Sequence, residues 1–386
     1  MNIMKVRGLM NNKLCLLALS ILMGMSFAAC SDDDNSQLND TGSKVDLPES
    51  RVYILNEGTK GQNNAGIEFY DPNKTAEYFS DIFYKQNSSK LGDTGQDIIT
   101  YKNNIYVSVN GSNYITMLNS AGVLQKSLYL STSGDNELTG GVRYLAAEDG
   151  YIYASLYGGV VLKINANTLT IENKISGLGN NLEGVTICNH ELYVANSYKV
   201  ENGKYIYLTD VFVIDLSSFK LKKTLTVTQN PNQLITENGK VFLISWDYSS
   251  ESYVLQMIDP SNDYNVSKLG YATNMAAGAG DNTLYLIDSR TDYSNWPVTS
   301  TVNSFSTYSI NAKEIVKTSF LKDAPSELTN TSISMIKINP ENGDIYIATT
   351  YYSTANGNVY RFKKDGTFIE KFDCGGQNPN GAVFFN

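Results

Sequence analysis

From Arg51 to the end of the chain, apolar residues come in short runs rich in Val, Ile, Tyr and Phe, cut by clusters of Gly, Asn, Asp and Ser. That is the pattern of strands and tight turns, with no convincing amphipathic helix among them. One run recurs. Val52-Tyr53-Ile54 returns as Ile105-Tyr106-Val107, Ile152-Tyr153-Ala154, Leu192-Tyr193-Val194, Val241-Phe242-Leu243, Leu284-Tyr285-Leu286 and Ile345-Tyr346-Ile347. Successive aromatics are 53, 47, 40, 49, 43 and 61 residues apart. Those intervals bracket the period of about 40–50 residues of four-stranded propeller blades.

The context repeats as well. Most copies follow an apolar run and a tight turn, such as Glu148-Asp149-Gly150 or Glu237-Asn238-Gly239, and precede a variable loop and two further runs. The chain ends on Gly381-Ala382-Val383-Phe384-Phe385, an inner strand with no aromatic run after it, while Tyr53 has no inner strand before it. Joining the two ends closes a ring and removes exposed sheet edges. The expectation is an all-β, seven-bladed β-propeller of four-stranded antiparallel blades, closed by the C-terminal strand and spanning residues 50–386. The recurring aromatic reads as packing between neighbouring sheets, since a large ring buries much area there.

The first 29 residues carry a different pattern. Lys5, Arg7 and Lys13 precede an apolar run from Leu14 to Phe27, too short to span a membrane and ending in small residues, as signal peptides do. Phe27-Ala28-Ala29-Cys30 resembles a lipobox, which makes Cys30 the lipidated residue and 30–49 a flexible tether opening on the acidic run Asp32-Asp33-Asp34. That run resembles the signal sending some lipoproteins to the exterior face of the outer membrane. Losing three positive charges with the leader moves the formal net charge from −9 to −12, which disfavours nucleic acid and anionic lipid as partners. Membrane attachment is then through the lipid alone. Cys188 and Cys374 remain, each in an apolar run, and read as two buried thiols, with an inter-blade disulfide the alternative.

In a propeller the loops between strands two and three and between blades share one face, and here those are the long ones. Binding residues concentrate on such loops. Trp246 and Tyr248 come from one loop, Asp288, Arg290, Tyr293 and Trp296 from another, and Tyr157, Tyr198 and Tyr351 from three more. Asn56, Asn110 and Asn196 add polar groups. The set suits a large amphipathic ligand or a partner surface, against the alternative of plain loop packing. Asn56, Asn196 and Asp288 lie three residues past the recurring aromatic, where they could converge on the channel and hold a cation, although water-binding polar residues are the plainer reading. No metal or cofactor is expected. The only histidine, His190, falls on a short turn of the opposite face, leaving no base there for a Ser or Cys nucleophile.

Leu192-Tyr193-Val194-Ala195-Asn196, Val213-Ile214-Asp215 and Asn230-Pro231-Asn232 together resemble the YVTN repeat of YncE-like propellers, and Gln377-Asn378-Pro379-Asn380-Gly381 repeats the last element. Combined with the lipobox and acidic run, the architecture resembles the BtuG-type lipoproteins. That resemblance implies a non-catalytic surface protein that captures cobalamin (vitamin B12) and passes it to a TonB-dependent outer-membrane transporter. The alternatives are a protein- or glycan-interaction propeller and a metal-dependent propeller hydrolase or lyase.

Overall fold

The computed structural model describes residues 38–75, 78–247, 252–292, 294 and 300–385. Cys30, Tyr248, Tyr293 and Trp296 lie outside the described residues, as does the leader. None of the described helices is long and apolar enough to cross a membrane.

Seven antiparallel sheets follow one another around a ring. Blade five is typical: the inner strand Pro231–Glu237 pairs with Lys240–Asp247, which pairs with Ser252–Asp259 and then Asn265–Tyr271. Six sheets have four strands in this order. In blade one the inner strand is Pro379–Phe385, antiparallel to Arg51–Asn56, which pairs in turn with Gly66–Tyr70. The last chain segment thus completes the first blade, as the unmatched ends of the repeat require. The outer edge of blade one is reduced to the Phe69–Phe79 bridge, and the short helix Ile82–Asn87 packs beside it.

The recurring aromatics sit on the second strand of each blade, and all seven are buried. The Tyr53 hydroxyl donates to the Ser120 carbonyl at 2.6 Å and the Tyr106 hydroxyl to that of Ala166 at 2.9 Å, each on the next blade. Phe242 and Tyr308 stack edge-on at 6.0 Å across blades five and six. These rings fill the wedge between twisted sheets, where buried aromatic area contributes most.

Residues ahead of the first strand, within the segment expected as a tether, pack on the propeller. Arg51 is 1% exposed and donates to both Asp40 oxygens, at 2.8 and 3.0 Å, and to the carbonyls of Pro48 and Ser120. Leu38, Val45 and Leu47 pack on the core of blades one and two. A buried guanidinium needs a paired carboxylate, so residues 38–49 are seated against the propeller. Cys188 and Cys374 are buried free thiols, and burial raises their pKa to about 11 and about 12.

Candidate functional site

The inner strands carry a shared irregularity. In six of the seven, the register slips opposite the second strand, leaving extra residues unpaired. Such β-bulges re-aim side chains. The slip falls at the same repeat position, occupied by Gln96, Arg143, Glu183, Asn232, Ser334 and Asn380. Thr273 holds the equivalent place in blade six, directly ahead of its inner strand Asn274–Ala277. All seven are polar, and all seven line one large cavity. Its volume is about 1980 Å³, about twice the upper end of the usual 300–1,000 Å³ range of small-molecule pockets.

The ring residues bond around the channel. Arg143 donates to Glu183 at 2.9 Å (Nε) and 2.6 Å (Nη2), and to Gln96 on its other side. The Tyr157 hydroxyl donates to the second Glu183 oxygen, and the Arg143 guanidinium lies 4.6 Å from the Tyr157 ring centre. Serines of the second strands tie the ring to its neighbours: Ser108 donates to the Arg143 carbonyl and Ser155 to that of Glu183. The Arg143–Glu183 pair is almost wholly desolvated, with side chains 14% and 4% exposed. Desolvation opposes the charge of Arg143 most strongly, but Glu183, Tyr144 and Tyr157 together outweigh it and hold the guanidinium pKa up. Such a pair adds little net stability relative to apolar residues of equal volume. Its place in a cavity wall therefore marks a binding surface better than a structural one.

Asp97 lies next to Gln96, half-buried in the cavity wall. Burial raises its pKa, opposed by the Lys337 ammonium and by the Leu145 and Ile98 amides, which donate at 2.9 and 3.0 Å. Burial likewise raises the pKa of Glu57, with Arg143 opposing.

Above the ring, the cavity opens on the face of the long loops. Blade four overhangs it with a ribbon made by the outer ends of strands Glu191–Glu201 and Lys204–Asp215. Tyr198 pairs with Tyr207 and Val200 with Tyr205, which places all four on one side of the ribbon. Lys199, Glu201, Lys204 and Ile206 take the other. Tyr198, Tyr205 and Tyr207 line the cavity, and Tyr205 remains 66% exposed. Tyr157 and Tyr198 meet edge-on at 6.1 Å, and the rings of Tyr198 and Tyr205 are tilted with centres 5.4 Å apart. Trp246 stands across the mouth, edge-on to Tyr253 at 6.3 Å.

Of the residues singled out from the sequence, Tyr157, Tyr198, Trp246 and Arg290 line the cavity. Arg290 is bound to Asp288 at 2.9 Å, and Asp288 itself stands back from the cavity. The amides do not line it. Asn56 donates to the Cys374 carbonyl at 2.7 Å, Asn110 to that of Val142 at 3.0 Å, and Asn196 caps the Asn180 amide at 3.0 Å. They fasten loops to neighbouring blades, and Asn56, Asn196 and Asp288 are not brought together on the cavity wall. Tyr351 accepts from Asn358 at 3.3 Å, while its neighbour Tyr352 reaches the cavity. On the opposite face His190 lies 3.1 Å from Glu148 and 3.7 Å from Asp149, on exposed turns.

The repeat reading found the cavity's face but not its floor. Gln96, Arg143, Glu183, Asn232 and Asn380 occupy a position whose side chain changes from blade to blade, so no recurrence draws attention to it. One signal was present: Asn-Pro-Asn occurs at 230–232 and again at 378–380, each time ending on a ring residue.

Seven blades, six of them four-stranded and the first closed by the C-terminal strand, around a cavity at the axis define a seven-bladed β-propeller with a binding-type site. The chain belongs to the family described as "Domain of unknown function (DUF5074)", whose model matches residues 51–384. No curated protein sequence matches it. Among solved structures it resembles a quinonprotein alcohol dehydrogenase-like protein from Bacteroides thetaiotaomicron, with 17% identity, TM-score 0.60 and coverage of 88% of this chain and 78% of that one. A hypothetical selenium-binding protein from Sulfolobus tokodaii is similar at 14% identity and TM-score 0.60, covering 88% and 94%. Kuenenia stuttgartiensis hydrazine synthase is similar at 11% identity and TM-score 0.57, covering 74% and 88%. At these identities the likeness is one of fold.

Proposed function

We propose that this chain captures a large amphipathic nutrient, with cobalamin the first candidate, and delivers it to a TonB-dependent outer-membrane transporter while anchored through Cys30. The observation that carries the reading is the cavity of about 1980 Å³, with a polar floor and an aromatic mouth. A corrinoid presents the matching pair of surfaces: a broad apolar macrocycle and a fringe of amides. Tyr and Trp supply contact area at low entropic cost, and polar groups fixed by their own hydrogen bonds supply orientation. Capture is non-covalent in this reading.

The test is equilibrium dialysis of the purified chain against cyanocobalamin. The protein compartment is expected to hold about one corrinoid per chain, visible by colour. A colourless protein fraction at micromolar concentrations would remove cobalamin as the ligand. A second reading draws on the exposed apolar side chains of the rim, Val200, Tyr205 and Val302: the same face receives a protein partner. Capture from extracts by an immobilised chain whose mouth is blocked by a Tyr205→Arg substitution separates the two, because only the partner reading requires that capture be lost.

A further inference from the structure

On each inner strand, the residue paired with the recurring aromatic is uncharged in six blades and charged in one. Ile99, Ala146, Thr186, Ile235, Ala276 and Val383 stand opposite Tyr106, Tyr153, Tyr193, Phe242, Tyr285 and Tyr53. In blade seven the place opposite Tyr346 belongs to Lys337. It is half-buried and lines the cavity. Among the described residues its ammonium enters no ion pair and no hydrogen bond. Burial strips part of the hydration from an ammonium, so a contact partner is the rule. The charge of Lys337 is felt at Asp97 on blade two, where burial pushes the carboxyl pKa up and the ammonium is the chief influence opposing it. The two do not close to a contact pair, although both line the cavity.

Two ring residues have the same kind of group to offer. Gln96 accepts from Arg143 through Oε1, which fixes its amide and leaves the Nε2 hydrogens unspent. Asn232 has its Oδ1 buried within protein, which leaves Nδ2 as its group for the cavity. Lys337, Gln96 and Asn232 thus present hydrogen-bond donors from blades seven, two and five. The formal charges of the floor meanwhile balance, Arg143 against Glu183 and Lys337 against Asp97. The other lining carboxylates, Glu57, Asp247 and Asp292, stand at or just past the mouth ends of second strands. Against them the mouth sets Arg290, already bound to Asp288. An acidic mouth disfavours anions on the way in. A charge-balanced floor of unspent donors then suits neutral oxygen acceptors.

We infer that the floor of the cavity is an acceptor-reading subsite, in which Lys337, supported by Gln96 Nε2 and Asn232 Nδ2, donates hydrogen bonds to carbonyl oxygens of a neutral ligand. The inference rests on the ligand-capture reading and narrows its ligand class to uncharged molecules with carbonyl oxygens at their polar end.

The experiment uses two levels of probe on the purified chain. Crystals are soaked in parallel in dimethylformamide, an acceptor without N–H donors, and in tetramethylammonium chloride, whose cation has no lone pair. They are expected to hold dimethylformamide with its oxygen on Lys337 and no tetramethylammonium on the floor. Tetramethylammonium there, or no dimethylformamide, overturns the inference. Dimethylformamide that persists at that place in K337M also overturns it, while K337R, which keeps a cationic donor, is expected to retain the probe. The second level is cyanocobalamin. Its affinity is expected to fall at least about tenfold in K337M, as for the loss of one hydrogen bond from a charged group, and to survive in K337R. A lysine that merely balances Asp97 would let the double variant D97N/K337M recover wild-type affinity. That recovery overturns the inference, and the double variant also decides the matter where K337M alone fails to fold. If dimethylformamide binds and cyanocobalamin does not, the cobalamin reading falls and the acceptor-reading floor stands. Equal cyanocobalamin affinity in the wild type and K337M overturns the floor and leaves cobalamin capture intact.

Discussion

Two positions of the same repeat, one strand apart, are used in opposite ways. On the second strand of every blade stands a buried Tyr or Phe, seven times over. On the inner strand, at the bulge position, stand Gln96, Arg143, Glu183, Asn232, Thr273, Ser334 and Asn380, six residue types in seven places. The first set faces the neighbouring sheet, an environment that symmetry makes alike in every blade. The second faces the axis, where seven different side chains meet in one cavity and each contributes something the others lack. Sameness around the ring makes the fold, and difference around the ring makes the site.

The comparison is broken most directly at the constant position. Tyr106 is 1% exposed and bonded across the blade boundary. Tyr106→Ala is expected to cost about 3–5 kcal/mol, the usual range for removing a buried aromatic. Tyr106→Phe is expected to cost about 1 kcal/mol, for one hydrogen bond. Urea denaturation read by circular dichroism measures both. An alanine variant that lost under about 1 kcal/mol would show that these rings do not hold the blades together.

This contrast also explains what could be read from the chain before its structure was known. A periodic feature is visible because it recurs, so Tyr53 to Tyr346 gave the blade count, and the unmatched ends gave the closure. The long-loop face followed from loop length, and with it Tyr157, Tyr198 and Trp246. Arg143 and Glu183 were illegible because they are far apart in sequence, occur once each at their position, and become partners only when adjacent blades set two bulges side by side. Asn56, Asn110 and Asn196 misled for the converse reason. Polar residues at strand ends near a binding face look like site residues, but loop backbones there need hydrogen-bond partners first. The seating of Asp40 under Arg51 was hidden in a segment whose composition reads as a tether.

The variable position is tested through its buried pair. Arg143→Met leaves Glu183 in the cavity wall without its cation and is expected to cost about 3–5 kcal/mol, whereas the double variant with Glu183→Leu is expected to recover most of the loss. The denaturation cycle of the two single variants and the double variant gives the coupling. A structural ring would leave the double variant as unstable as the sum of its parts. A ring retained for binding would leave it folded with its ligand affinity gone, and that separation of stability from binding is unattainable at Tyr106.

The finest test lies at the mouth, where the two uses of side chains should separate completely. Tyr205 is 66% exposed at the tip of the blade-four ribbon, packed only against Tyr198 among the described rings. Tyr205→Ser removes an exposed side chain from a surface strand, so unfolding free energy is expected to move by no more than about 0.5 kcal/mol. Ligand affinity should nonetheless fall about tenfold, equivalent to about 1.4 kcal/mol, because a ring held over the mouth gives up contact area only when something lies beneath it. Denaturation midpoint and dissociation constant measured on the same preparation decide the matter. Unchanged affinity would confine the site to the floor ring, with the overhanging ribbon left to partner contacts. A fall in stability matching the fall in affinity would mean that Tyr205 supports the ribbon rather than the ligand, and the aromatic mouth would then belong with the constant, fold-making set.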